Sequence, residues 1–499
     1  MIIKNSLIKI VCYVAASLLV LIAVPIIIES LGIEVFGVVG IVTSFVAYLT
    51  VVTNSFSASV SRNMMFLLQN KNISDANKEF NSILFLIFGI GIISYPILYN
   101  LSDDFVANLK ISKSNLGDVA NLLRVVFLVF FINAISGIFG CCYVIKERYD
   151  LQSYADLTQK LILNVVVIFL LSYWIVSLNS YSMGLLLSAA ALFAFNLFNF
   201  KKLVSEVNIN FASLSLNTIR NNLSLNWWLM INQVGALLYH QSALIIAGIF
   251  IGTTQAGILS ISLIISSQIR VLATLVSSVF QTKIMKFIAS SDDELAIKHF
   301  MVAIKSISLM TVVICSLYIG GANWILKAWL GEVKEGTLAL SVLCTTYLPL
   351  VLGLVPSWIF LMAKNDIGLL GKVTFINGIL NVTASLILID NSDLGIYATV
   401  IPYIVLLIIQ NLVIVPLILK KHCINVVAIY KTIALSFLLT VLLSLFVYIT
   451  LMMINPITTV SLFVSYLFIL LLLFIATYLL FLIRYKTTNI KLLISHLSI

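Results

Sequence analysis

Apolar runs of about 20 residues, separated by short polar interruptions, recur along the whole 499-residue chain, and that is the length an α-helix needs to cross a hydrocarbon layer of about 30 Å. Strands of alternating polarity are not seen, so the pattern does not predict a membrane barrel. Reading the runs gives about fourteen spans. The first two have cores at Ile8 to Ile28 and Val35 to Val60, and the fifth at Leu157 to Ile175. The seventh and eighth lie at Leu225 to Phe250 and Gly257 to Thr282, the tenth and eleventh at Leu338 to Ala363 and Gly371 to Ile389. The last two are Val427 to Met453 and Ile457 to Ile483. The opening segment carries Lys4 and Lys9 ahead of its apolar stretch, as a secretory signal would. That stretch is too long and ends at Glu29 rather than at a small-residue cleavage site, so it reads as the first span. The predicted fold class is an all-α integral membrane protein.

Composition agrees: 61% of residues are hydrophobic and 10% charged, with a mean hydropathy of +1.14, against roughly 25% charged in soluble domains. The net charge of +10 is a topology signal rather than a nucleic-acid patch. Lysine and arginine collect on alternate connections, roughly 21 on one side against 4 (Lys110, Lys113, Lys327 and Lys334) on the other. The richer side is expected to be cytoplasmic and to hold both termini. The six cysteines lie mostly inside spans and have no metal-ligand spacing, so they read as small buried hydrophobes. No nucleotide-binding glycine loop, paired histidine and acid, or other catalytic constellation is present, and no cofactor is expected.

Short segments return in order at a spacing of about 217 to 221 residues, as a duplication would leave them. "LGIEVFG" (Leu31 to Gly37) is matched by "IGTTQAG" (Ile251 to Gly257), and "SRNMMFL" (Ser61 to Leu67) by "TKIMKFI" (Thr282 to Ile288). "ANKEF" (Ala76 to Phe80) is matched by "AIKHF" (Ala296 to Phe300), and "ILNV" around Asn164 by "ILNV" around Asn381. Each repeat holds about six spans, an even number, so the halves run parallel and relate by an axis along the membrane normal. The predicted organisation is a six-helix bundle over 1–210, a second over 211–422 and an additional helix pair over 423–499. Pro349 and Pro356, with Gly353 between them, are expected to bend the tenth span.

Candidate functional residues are polar groups at membrane depth. Arg270 lies about 13 residues from either end of its span, about 20 Å, too far for its side chain to reach a surface. A charge there costs at least about 2.5 to 3.5 kcal/mol unless it has a partner or a wet cavity. Ser44, Tyr48, Ser55, Ser59 and Arg62 share one face of the second span, and Ser262, Ser266, Ser267, Arg270, Thr274, Ser277, Ser278 and Gln281 one face of the eighth. Such stripes either wall a cavity or bond their own backbone carbonyls. His240, Gln233 and Asn226 share a face of the seventh span and serve either as lumen groups or as helix contacts. Asn164 and Asn381 allow the same two readings. Arg62 and Arg124 stand near interfaces, where snorkelling competes with a lumen role, and Lys160 is placed to pair with Asp156. The mid-membrane charges that can be placed are positive.

The hydrophobic first helix, "LGIEVFG" leading into the second, "SRNMM" and the short basic connection resemble the polysaccharide transporter family, within the multidrug and oligosaccharidyl-lipid exporter superfamily. The resemblance covers essentially the whole chain. It implies a MATE-like fold of two parallel six-helix repeats plus two extra helices, in a bacterial cytoplasmic membrane. It further implies a non-enzymatic flippase that carries undecaprenyl-pyrophosphate-linked oligosaccharide, such as an O-antigen unit, to the periplasmic leaflet by alternating access. The cationic residues Arg270, Arg62 and Arg124 would receive the anionic head, with His240, Gln233, Ser266, Thr274 and Tyr48 as further cavity contacts. Proton or sodium coupling and contact with glycan polymerase machinery are compatible with the sequence without being demanded by it. The alternatives are a cation-coupled multidrug antiporter, which requires an acid inside the cavity, and a membrane-embedded polysaccharide polymerase, which should show a large outer loop or clustered carboxylates.

Overall fold

The computed structural model describes residues 2–107, 116–174, 176–210, 213–364, 366 and 368–453. The span predicted at Ile457 to Ile483 and the basic residues Lys110, Lys113, Arg484, Lys486 and Lys491 lie outside them, as does the side chain of Asn226. Among the described residues every regular element is a helix, the form in which an apolar segment satisfies its own backbone groups without water. Among the described residues eleven helices are long and apolar enough to cross a membrane, or up to twelve with the bent pair Gln233–His240 and Ser242–Ile251 taken as one span. The expected fourteen differs for two reasons. The last predicted span falls outside the described residues, and α1 (Ile2–Gln69) joins the first two predicted spans across a break at Gly32.

That break is the first sign of the duplication in three dimensions. Gly32 has φ 83°, and its counterpart in the matching segment, Gly252, has φ 147°; both lie where a side chain would strain the backbone, so glycine is the residue both positions require. The next connection repeats as well. Before α2 (Ile73–Ala107), Lys71 takes φ 57° while Asn72 N donates to Leu67 O; before α10 (Asp293–Leu330), Ser291 takes φ 59° while Asp292 N donates to Phe287 O. In each turn the polar side chain then accepts from the new helix, Asp75 N to Asn72 Oδ1 and Leu295 N to Asp292 Oδ1, which caps its first turn.

The described residues pack into two compact units. One holds Leu7–Ser260 with Gly371–Tyr403. In it α3 (Leu116–Phe139) packs on α2 and on α6 (Leu178–Leu203), and α6 packs on α5 (Tyr149–Tyr173). Phe80 is fully buried at the lysine-rich end and stacks on Phe200 at 4.6 Å. The linker that follows α6 is tied down by α2: Asn208 N donates to Asn77 Oδ1, Asn210 N to Asn81 Oδ1 and Ser215 N to Ser82 Oγ. The other unit includes Ile261–Leu370 and the described residues from Ile404 onward. There α15 (Val426–Met453) lies along α10, close enough at Gly320 that any Cβ would come 2.8 Å from that of Val447. Phe300, the repeat counterpart of Phe80, is likewise fully buried, 4.9 Å from Phe360.

The predicted bend in the tenth span is a break. Three helices, α11 (Thr337–Thr346), α12 (Leu348–Val351) and α13 (Pro356–Ala363), are separated at Tyr347 and by a 3-10 turn at Leu352–Leu354. Pro349 and Pro356 cannot supply the N–H bonds that would make them continuous. Of the six cysteines five are buried, as expected, whereas Cys423 is exposed.

The two membrane-depth asparagines have diverged. Asn381, on α14 (Gly368–Asn391), reaches a neighbouring element, whereas Asn164 Nδ2 donates at 2.7 Å to Lys160 O of its own helix. The partner of Asn381 is the 48° bend at Gln241 between α7 (Leu216–His240) and α8 (Ser242–Ile246). A bend frees carbonyls that must be satisfied inside apolar surroundings. Here Leu238 O accepts from Asn381 Nδ2 at 3.2 Å and from Ser242 Oγ at 2.7 Å, while Leu237 O accepts from Tyr48 Oη at 3.1 Å. Asn381→Leu is therefore expected to cost about 1 to 2 kcal/mol and to lower the melting midpoint of the detergent-solubilised protein. Asn164→Leu should change that midpoint less, because only a bond within one helix is lost.

Candidate functional site

The helix that carries Arg270, α9 (Thr253–Ala289), is 37 residues long, with the arginine near its middle, about 25 Å from either helix end at 1.5 Å per residue. The guanidinium is half-buried, and its Nη1 donates to Tyr347 Oη at 3.3 Å. Tyr347 is 4% exposed and stands at the break between α11 and α12, so the broken span places an oriented hydroxyl beside a mid-helix cation. The hydroxyl stripe around Arg270 is largely satisfied by its own helix. Ser266 donates to Leu263 O, Ser267 to Ile264 O, Thr274 to Arg270 O and Ser278 to Leu275 O. Ser266 is buried and Thr274 exposed. In this arrangement the serines make the α9 face narrow and polar, while Arg270 supplies its charge.

On the second half of α1, Tyr48 is committed to the α7 bend and Ser44 Oγ donates to Gln241 Oε1 at 3.0 Å. Gln233 Nε2 approaches Ser55 Oγ at 3.4 Å. His240 is exposed, with its ring 5.6 Å from Tyr239 and 5.5 Å from Tyr403 in edge-on geometry. Tyr48, Gln233 and His240 thus gather along α7. Arg124 stands apart from them, near the start of α3. Its Nη2 pairs with Asp103 Oδ2 at 2.7 Å and its guanidinium lies 4.3 Å from the Tyr99 ring centroid, an ion pair and cation–π contact that already occupy the charge. The expected Lys160 to Asp156 pair is not among the salt bridges of the described residues; Lys160 Nζ lies 5.7 Å from the Tyr13 ring centroid instead.

Arg62 is exposed at the lysine-rich end of α1, beside a cavity of about 390 Å³ shared with Asn63, Phe66, Leu67 and Glu79. The sequence had assigned Glu79 no role, yet it is 6% exposed and tightly held. Its Oε1 accepts from Asn63 Nδ2 at 2.8 Å and from Asn222 Nδ2 at 2.9 Å, and Ser59 Oγ donates to Asn222 Oδ1. This network joins α1, α2 and α7. The signal was present in the repeat: the "ANKEF" and "AIKHF" match sets Glu79 against His299, which is also buried, with its ring stacked 5.0 Å from that of Phe287. Asn222→Leu should remove one donor from a buried carboxylate and cost about 1 to 3 kcal/mol, whereas the double variant with Glu79→Leu should recover much of that loss. Thermal midpoints of the two singles and the double measure the coupling.

Residues 2–279 match the family described as "Polysaccharide biosynthesis protein". A curated relative, the uncharacterized membrane protein EpsK of Bacillus subtilis (strain 168), is 23% identical over 397 residues, 80% of this chain and 79% of its own length. Among solved structures, the lipid II flippase MurJ in an inward closed conformation superposes with TM-score 0.62 at 14% identity, covering 91% of this chain and 98% of that one. A multidrug resistance MATE transporter of the MOP superfamily, inward-facing, gives TM-score 0.61 at 14% identity, covering 88% and 98%. At such identities the structures establish the fold. The family match, which takes in more than half of the sequence, establishes membership: this multi-pass membrane chain, with a MATE- and MurJ-like fold, belongs to the polysaccharide biosynthesis protein family.

Proposed function

We propose that the protein is a flippase that moves an undecaprenyl-pyrophosphate-linked oligosaccharide, an O-antigen unit or similar surface glycan, from the cytoplasmic to the periplasmic leaflet. The observation that carries the reading is Arg270, a cation at mid-helix beside the Tyr347 hydroxyl at the break in the tenth span. A phosphate-bearing head is the ligand such a charge attracts, and alternating access between the bundles 1–210 and 211–422 would expose it to each leaflet in turn. Arg62, at the basic end taken to be cytoplasmic, is suited to receive the head before it reaches Arg270. Arg124 is left out, because Asp103 and Tyr99 hold it. An inside-negative potential assists outward movement of an anion by about 2.3 kcal/mol per charge per 100 mV, so ion coupling is not required. Family membership and the fold shared with a lipid II flippase support the substrate class. Deleting the gene should leave lipid-linked glycan on the inner leaflet and deplete surface glycan; unchanged distribution between leaflets would end the reading.

One observation favours the second reading, a cation-coupled multidrug antiporter. Asp156, about 10 Å into α5 at 1.5 Å per residue, faces a cavity, and such a carrier needs an acid there. Efflux of ethidium by the reconstituted protein, abolished by Asp156→Asn, would support this alternative over the flippase.

A further inference from the structure

The first unit contains a second cavity, of about 350 Å³, among α1, α3, α4 (Cys141–Ile145), α5 and α6. Its lining is unlike that of a packing void, which is apolar. Asn54, Asn133, Tyr143, Gln152, Asp156 and Asn196 all contribute. Part of this wall is fixed: Tyr143 Oη donates to Asn196 Oδ1 at 2.7 Å, Asn196 Nδ2 donates to Ser136 Oγ at 2.9 Å, and Gln159 Nε2 donates to Asn133 Oδ1 at 3.3 Å. The rest is uncommitted. Asn54, Gln152 and Asp156 are exposed to the cavity and make no side-chain hydrogen bond or salt bridge among the described residues. At its edge α1 and α3 approach closely, since a Cβ on Gly137 would come 3.0 Å from Ser57 Oγ.

An amide offers one acceptor and two donors on a short planar group, and a carboxylate offers acceptors alone. Several such groups converging on a small space match a ligand that presents both hydroxyl hydrogens and hydroxyl oxygens in a ring. A phosphate does not fit: among the described residues no arginine or lysine lines the cavity, and Asp156 would repel it, although the ammonium groups of Lys9 and Lys160 are the charged neighbours of that carboxylate. We propose that this chamber is a sugar-recognition subsite, in which Gln152, Asn54 and Asp156 bind hydroxyls of a pyranose residue of the carried glycan while Asn133 and Asn196 form the fixed wall. The inference rests on the flippase reading and deepens it, separating a site that reads sugar from the arginine that takes phosphate.

The test uses the full chain in nanodiscs with two probes: the lipid-linked glycan that accumulates in cells lacking the protein, and glycan-free undecaprenyl pyrophosphate. Wild type is expected to bind the glycan-bearing lipid about 10-fold or more tightly than the bare lipid. The double variant Gln152→Ala with Asp156→Asn should bring the two affinities together by weakening only the first; both residues are exposed, so folding is not at stake. Arg270→Ala should weaken both probes. Equal wild-type affinities, or equal losses for both probes in the double variant, would overturn the subsite while leaving the carrier intact. Retained glycan preference with a shifted pH dependence of transport in Asp156→Asn would overturn it too, and would make the chamber a proton site. The carrier reading fails separately, either if no lipid-linked glycan accumulates in cells lacking the protein or if Arg270→Ala changes the binding of neither probe.

Discussion

Arg270→Ala is expected to reduce glycan export about 100-fold, with lipid-linked glycan building up on the inner leaflet. Removing one partner of a desolvated charged contact costs about 2 to 5 kcal/mol, and 2.7 kcal/mol is already a factor of 100. Arg270→Lys should restore part of the export, since it returns the charge but not the planar fork that can hold Tyr347 and a phosphate oxygen together. Tyr347→Phe tests the orienting partner: a loss of about 10-fold, smaller than for the alanine variant, is expected from one neutral hydrogen bond to a charged group. Export is read as surface glycan per cell at matched protein levels. Full export by Arg270→Ala would remove the central cation from the mechanism.

The second large effect concerns folding. Gly37, on the second half of α1, lies against the start of α9 so closely that a Cβ on it would overlap Thr253 O and come 2.6 Å from Gly257 N. Gly257, its counterpart in the other repeat, is equally tight: a Cβ there would overlap Ile33 O. The two copies of one segment therefore cross backbone to backbone, the close approach that small residues permit between membrane helices. Gly37→Ala and Gly257→Ala should each cost about 3 kcal/mol or more, because the opposing atoms are backbone and cannot rotate away. The check is the melting midpoint and the monodisperse fraction in detergent. Gly89→Ala is the control, since nothing lies within 4 Å of its added methyl, and it should leave both unchanged.

What could be read from the chain and what could not divide along a physical line. Apolar length and residue type are properties of the chain itself, so most of the spans, the repeat with its matched segments around Gly32 and Gly252, and a bend at Pro349 and Pro356 were visible in the letters. Hydrogen-bond partners are chosen by neighbours. Ser266 and Thr274 turn back to their own carbonyls, and Asn164 and Asn381 share the same four letters while one bonds within its helix and the other supports a bend. Arg124 reads from the sequence as snorkelling or lumen-facing because its partner, Asp103, lies 21 positions earlier on another helix. Tyr347 has no sequence signal for the same reason, and Asp156 reads from the sequence only as a partner for Lys160. Nothing in the residues beside them says that one meets a guanidinium and the other a cavity.

The paired turns at Lys71 and Ser291 bear on how such a carrier evolves. After the duplication both copies kept one scheme of corner and cap, while the buried position nearly two turns into the following helix became an acid in the first copy and an imidazole in the second. Scaffolding and polarity have been inherited separately, which leaves each half free to change what it attracts without relearning how to fold.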